Sequence, residues 1–500
     1  MTGKIPFVFL ILMVSSMILS CGIQKGIKTV QLHVASDPTI SFRIWFQVGS
    51  QNDPEGKEGL AVLTAAIMTE GGTEENSYNQ ILEKLYPMAA DYTASIDKEM
   101  TVISGRVHQD NVDEYIKLLT EAILYPAFTP EDFDRIQSNM INYLEKTLRY
   151  SNDEAFGKEV LYGMVFEGTP YAHFEVGLIE SVRSITLEDV KQFYKTYYTR
   201  DNVIIGIGGG YEKSVINQLK ADLEILPPNA IAPVEKPELK PINGIEVLLI
   251  EKDTQSTAIS IGFPIDVLRG EHDYYALWIA NSWFGEHRNS SSHLYQVIRE
   301  SRGMNYGDYS YIEYFPNGWA DRFPSPNVPR RQQIFEIWIR PVQNDAAHFA
   351  LRAAIRELQK LIDNGMTEED FELTKKFLKK YNLHYAPTTT ERLGYKLDDL
   401  FYGIKDHLKT LPNMLDELTL EEVNTAIKKH LQYKNMKIAM ITKDAKSLQK
   451  ALVNDDPSPL EYATPQSPEI LEEDKEISTY ALNIKSENIK TMDVDEMFVR

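Results

Sequence analysis

Cysteine is almost missing from this chain: 500 residues contain one, Cys21. A single thiol closes no internal disulfide and builds no cysteine zinc cluster. Positive charge is also in deficit, with 52 Lys and Arg against 73 Asp and Glu, a net charge of −21. Such an acidic chain is a poor partner for a phosphate backbone, so nucleic-acid binding is excluded as a working class. The charge chiefly keeps the molecule soluble; an acidic cavity that draws basic peptides is the sharper alternative. Long apolar runs are missing too. The longest, residues 5–19, spans about 15 residues, too few to cross a bilayer comfortably.

What is present at the N-terminus is an export signal. Lys4 precedes the apolar run, and Ile18-Leu19-Ser20-Cys21 closes it. This is the layout of a secretory signal. It resembles a bacterial lipobox, with Leu19 a slight departure, in which Cys21 becomes the lipidated first residue. Acyl chains hold a soluble body at a membrane by burying methylenes. The expectation is an exported lipoprotein of a bacterial cell envelope, facing the periplasm from the inner or outer membrane, with residues 1–21 as its signal.

Beyond the signal the composition is globular, 43% apolar and 25% charged, and the length suits more than one domain. Strand and helix periodicities alternate. Residues 30–34 and 40–48 read as strands, with Ile40, Phe42, Ile44 and Phe46 on one face. Residues 59–68, 111–122, 132–148 and 186–197 read as helices, the last capped by Thr186. Residues 203–207 read as a buried strand. Between 226 and 242 stand Pro227, Pro228, Pro233, Pro237 and Pro241, a density that blocks both helix and central strand and predicts a stiff linker.

The two sides of that linker echo each other. Thr129-Pro130-Glu131-Asp132-Phe133 returns as Thr367-Glu368-Glu369-Asp370-Phe371, and Thr186-Leu187-Glu188-Asp189-Val190 returns as Thr419-Leu420-Glu421-Glu422-Val423. Either motif alone is a helix start. Two in the same order, at nearly the same separation and with the same downstream strand, argue for duplication. The expected fold class is α+β: two homologous, sandwich-like halves of antiparallel or mixed sheet plus helices, residues 25–225 and 243–445, joined by the proline-rich linker 226–242. Residues 446–500 are expected to form an extended tail.

Further short motifs stand inside this frame. They are Gly59-Leu60-Ala61 with Glu70-Gly71-Gly72-Thr73, then Gly168-Thr169-Pro170-Tyr171, Ser184-Ile185-Thr186 and Tyr197-Tyr198-Thr199-Arg200-Asp201-Asn202. In the second half come Leu294-Tyr295-Gln296-Val297-Ile298-Arg299-Glu300, Arg302-Gly303 and Tyr306. Together they make residues 30–445 resemble the pitrilysin/insulinase zinc peptidases, including the processing-peptidase type, whose halves close as a clamshell. Active members of that family carry H-x-x-E-H on the first helix. Two His at i and i+4 reach one Zn²⁺ from one helical face, and the Glu serves as general base. Here the same stretch is Val62-Leu63-Thr64-Ala65-Ala66, so Val62 and Ala66 replace the imidazoles and Ala65 the carboxylate. The family's third ligand falls near Asn142, and neither His33 nor His108 has a partner at i+4. Without donors the face is expected to pack as core.

The resemblance therefore implies a non-catalytic subunit with no metal of its own. Its partner would be a homologous chain that keeps H-x-x-E-H and holds the zinc, and its substrate an extended peptide. It also implies that Arg299 and Tyr306 assist the partner's site by stabilising an oxyanion. Two alternatives stand beside it: a purely structural peptide-binding scaffold, and a self-sufficient metallopeptidase with unrecognised ligands. Other features carry less. Gly206-Ile207-Gly208-Gly209-Gly210 reads as a tight turn leaving a strand, not a phosphate loop. Glu286-His287-Arg288 and Ser290-Ser291-Ser292-His293 read as a polar loop. Tyr306, Tyr309, Tyr311, Tyr314, Phe315 and Trp319 are core and strand surface, or line a substrate groove.

Overall fold

The computed structural model describes residues 26–229, 231, 235–316 and 322–499. Cys21 with its signal, Pro233 and Trp319 lie outside the described residues. Strands β1 (Lys28–His33) and β2 (Thr39–Phe46) are followed by β3 (Asp91–Ile96), β4 (Thr101–His108) and β5 (Val203–Gly209), which form one sheet in the order β1-β5-β2-β4-β3. The alternation in β2 does what its pattern predicts: Ile40, Phe42, Ile44 and Phe46 are each at most 1% exposed. A second sheet takes β6 (Ile245–Glu251), β7 (Ser256–Ile265), β8 (Asp308–Tyr311), β9 (Gln333–Gln343), β10 (Met436–Thr442) and β11 (Ile489–Asp493) in the order β11-β6-β10-β7-β9-β8.

Without β11 the second order repeats the first, position for position. Within these two five-strand sets one pair is parallel, β1 with β5 and β6 with β10, and the remaining neighbours are antiparallel; β11 adds a second parallel pairing on β6. The repeated sequence motifs are repeated caps. Thr129 Oγ1 accepts from Asp132 N at the head of helix Pro130–Asn142, and Thr367 Oγ1 from Asp370 N at the head of Glu368–Tyr381. Thr186 and Thr419 each form a reciprocal box, with Asp189 and Glu422, opening Leu187–Tyr197 and Leu420–His430.

The halves exchange helices. Asp153–Val165, from the first half, lies on β7 and β10; Thr389–Tyr402, from the second, lies on β1, β2 and β5. Close approach needs missing side chains. A Cβ on Gly208 would meet Thr389 Cγ2 at 3.0 Å, and one on Gly206 would meet Leu397 Cδ1 at 3.3 Å. The glycine run read as a turn is thus mostly strand, and its glycines make room for the visiting helix. The expected extended tail is also corrected. It holds helices Ala445–Asn454, Pro468–Ser478 and Val494–Val499 as well as β11, which covers the β6 edge. Phe498 is 0% exposed and stacks 4.9 Å from Phe156 of the first half. Its apolar residues are too widely spaced to show as one periodic stripe, so only docking reveals them. No helix among the described residues is long and apolar enough to cross a membrane.

Candidate functional site

The first helix, Leu60–Glu70, leaves Gly59 in the left-handed region at φ 99°. Its free N-terminal amides are capped by Asp53, whose carboxylate accepts from Gly59 N at 2.8 Å and Ala61 N at 2.7 Å. Burial nevertheless pushes the Asp53 carboxyl up to about 8. The rest of the helix is nearly all core: Leu63, Ala65 and Ala61 are 0% exposed. Val62 and Ala66 are only half-buried, and Glu70 is exposed. These three lie at i, i+4 and i+8, one stripe on one face. The expected packing as core is complete at Ala65 and partial at Val62 and Ala66, which are half-buried against the core. The two places that would carry imidazoles are part-exposed, but present only carbon.

Asn142 is the exposed last residue of Pro130–Asn142. That helix packs against Leu60–Glu70 and runs into a π-helical turn, Tyr143–Leu148, a local widening common near functional sites. Methyl and isopropyl groups coordinate no zinc, and one amide does not make a site. Among the described residues no three His, Cys, Asp or Glu converge to hold a metal ion. The residues present do not fit the zinc that the fold implies. Beside the helix runs β3, the free edge of its sheet, with Asp91, Thr93 and Ser95 exposed. An unpaired edge is a template for an added strand.

A polar network with buried ion pairs runs from beside this helix to the second half. His173 Nε2 lies 3.8 Å from Asp53, and the His173 carbonyl accepts from Lys98. Lys98 pairs with Glu175 at 3.0 Å. Arg330, 0% exposed, grips Asp97 through Nε at 3.0 Å and Nη2 at 2.6 Å and reaches Glu175 at 3.1 Å. The guanidinium also sits 3.4 Å above the Tyr314 ring. Burial works against the Glu175 charge, but Lys98 and Arg330 hold its carboxyl down at about 2; burial and that neighbouring charge push Glu159 up. Burial, then Lys98, lowers His173 to about 3, so its ring is neutral. Asp97, Lys98, Glu175 and Arg330 did not emerge from the sequence. The only trace was charge clustered in Asp97-Lys98-Glu99 and Arg330-Arg331, and ordinary surface loops carry as much.

Arg299 lies in the last part of a second π-helical turn, Tyr295–Glu300. It is half-buried, and its Nε has no hydrogen-bond partner among the described residues. Its charge, with that of Arg340, acts on Asp308, which burial nonetheless pushes up to about 8. Tyr306 is 74% exposed. Its neighbours go inward: Tyr309, Tyr311 and Phe315 form a buried cluster with Trp338, and Tyr314 covers Arg330. The expected polar loop is partly corrected as well. Glu286 and His287 are 7% and 4% exposed, and His293 pairs with Glu357 at 2.7 Å.

The layout of two duplicated halves with exchanged helices defines a clamshell peptidase fold. Residues 28–161 match the family model described as insulinase (peptidase family M16), and residues 184–378 match the peptidase M16 inactive domain. The chain belongs to the M16 peptidase family and lacks its H-x-x-E-H zinc motif. It is 23% identical over 415 residues to the "Non-peptidase homolog YmxG" of Helicobacter pylori, covering 80% of this chain and 88% of that one. It is 21% identical over 405 residues to the "Uncharacterized zinc protease YmxG" of Bacillus subtilis, covering 80% and 92%. A solved M16 inactive domain from Pseudomonas fluorescens shares the fold, with TM-score 0.73, 24% identity, and 83% and 95% coverage.

Proposed function

We propose that this chain is the non-catalytic subunit of a two-chain zinc peptidase, anchored to a membrane through Cys21. A homologous partner carrying H-x-x-E-H supplies zinc and base. This chain supplies half the cavity wall, a β3 edge for an extended peptide, and Arg299 and Tyr306 to the partner's site. The observation that carries the reading is the Val62–Ala66 stripe: a part-exposed face on the helix that would hold metal, with every donor gone. An exposed phenol at Tyr306, beside buried aromatic neighbours, agrees with a role outside this chain's own core.

The test is co-purification of the lipid-free chain with its homologue, zinc measured on each polypeptide, and peptide hydrolysis by the complex. Zinc on the partner alone, with activity only in the complex, is expected. Arg299→Ala is expected to lower kcat by about 10²-fold, the usual loss for one oxyanion donor, and Tyr306→Phe to lower it less. Unchanged rates in both variants would leave a structural scaffold. About one zinc on this chain with cleavage by it alone would sink the proposal.

A further inference from the structure

The duplication gives the second half a counterpart of the first helix. In the second half the helix corresponding to Leu60–Glu70 is His272–Gly285, which likewise follows the second strand of its sheet. Val62 and Ala66 are the third and seventh residues of the first helix. Tyr274 and Trp278 hold those two places in the second. The segment after Glu368–Tyr381, the counterpart of the one carrying the third-ligand position, brings Tyr385, whose hydroxyl accepts from Trp278 Nε1 at 3.1 Å.

Between them lies a cavity with about 40 Å³ of room for the centres of water-sized spheres. One water needs about 10–15 Å³ on that measure, so the space suits a few waters or one small polyatomic ion. Tyr274, Trp278, Phe315, Tyr385 and Tyr395 line it, each at most 6% exposed. Two carboxylates reach it. Glu313 is already satisfied by Arg269 at 3.0 Å and the Tyr274 hydroxyl at 2.8 Å. Glu286 is not. It is 7% exposed, it has the Ser282 hydroxyl beside it, and no cation offsets it among the described residues. A carboxyl buried without a counter-charge is costly unless something supplies one.

We infer that this cavity is a binding site for a small organic cation, a primary ammonium or a guanidinium group, held by Glu286 within an aromatic cage. Ring faces attract cations most strongly when water is excluded, and Trp is the strongest of them. A positive group placed here completes an ion pair that the folded chain otherwise leaves half-made. Burial pushes the Glu286 carboxyl up to about 7, with the Ser282 hydroxyl pulling the other way. The cation is either free in solution or the end of a peptide side chain. The inference does not rest on the proposed partner chain, because every residue of the cage belongs to this polypeptide.

The experiment is calorimetric titration of the purified chain with methylammonium, methylguanidinium, the neutral isostere N-methylurea, and short peptides containing a single Lys or Arg. Expected is binding of the cations and none of the urea. Glu286→Gln, close in size and uncharged, should weaken it by about tenfold or more, and Trp278→Phe severalfold, with far-UV dichroism confirming that both fold. Binding of the free ions identifies a small-molecule source, and binding of the peptides alone a side-chain source; either supports the assignment. Equal binding of N-methylurea, unchanged affinity in folded Glu286→Gln, or no binding by any cation overturns it.

Discussion

At the scale of single residues, what matters most here is which groups lost their chemistry and which kept it. Val62, Ala65 and Ala66 could be read in the sequence, because absent imidazoles are visible wherever the motif's surroundings are recognisable. Arg330 could not. Its meaning comes from Asp97 and Glu175, both far away in the chain, and its burial is a tertiary fact. Arg330→Ala leaves Asp97, 2% exposed, without the guanidinium that pairs with it. Breaking one side of a buried pair costs about 3–5 kcal/mol. Urea unfolding should show that loss as a lower midpoint with an unchanged slope.

Among the elements, the strands and caps were legible and the helix partners were not. The period-two pattern of β2 and the paired Thr caps act locally, so sequence spacing suffices to find them. The helix exchange depends on which sheet a helix meets, and amphipathicity is the same for either. The stripe Val62–Ala66–Glu70 is likewise a matter of what stands opposite the helix. The double variant Val62→His/Ala66→His tests how accessible that face is. Two imidazoles at i and i+4 on an accessible face form a bidentate site for Ni²⁺ or Zn²⁺. A rise in melting temperature with Ni²⁺ is expected for the variant and none for the parent chain. No rise would mean that the face is closed by packing.

The whole molecule combines opposing titrations. Asp53 has an ordinary carboxyl value of 3.8 when unfolded and about 8 when folded. Below about 4 both states hold the proton, and the stability contributed by the neutral, buried form is fully present. As pH rises toward 8 the unfolded state releases the proton first, so that contribution falls by up to about 1.4 kcal/mol per pH unit. Glu175 acts in the opposite sense: its depressed value of about 2 contributes stability above its unfolded value that is lost as the solution turns strongly acid. Asp53→Asn is expected to flatten the decline in stability between about pH 5 and 8, measured by urea unfolding across that range. A slope equal to that of the parent chain would assign the decline to other carboxyls.

Taken alone, the sequence determined the α+β class, the duplication, the family and the loss of zinc donors. Each of these is written in local spacing or in residue identity, and neither needs a third dimension to be read. The tertiary structure decided that the donor-free face stays part-exposed, that Arg330 locks the halves together, that residues 446–499 form helices and a strand, and that Glu286 is buried beside aromatic rings. Those are facts of burial, and burial depends on segments distant in the chain meeting one another.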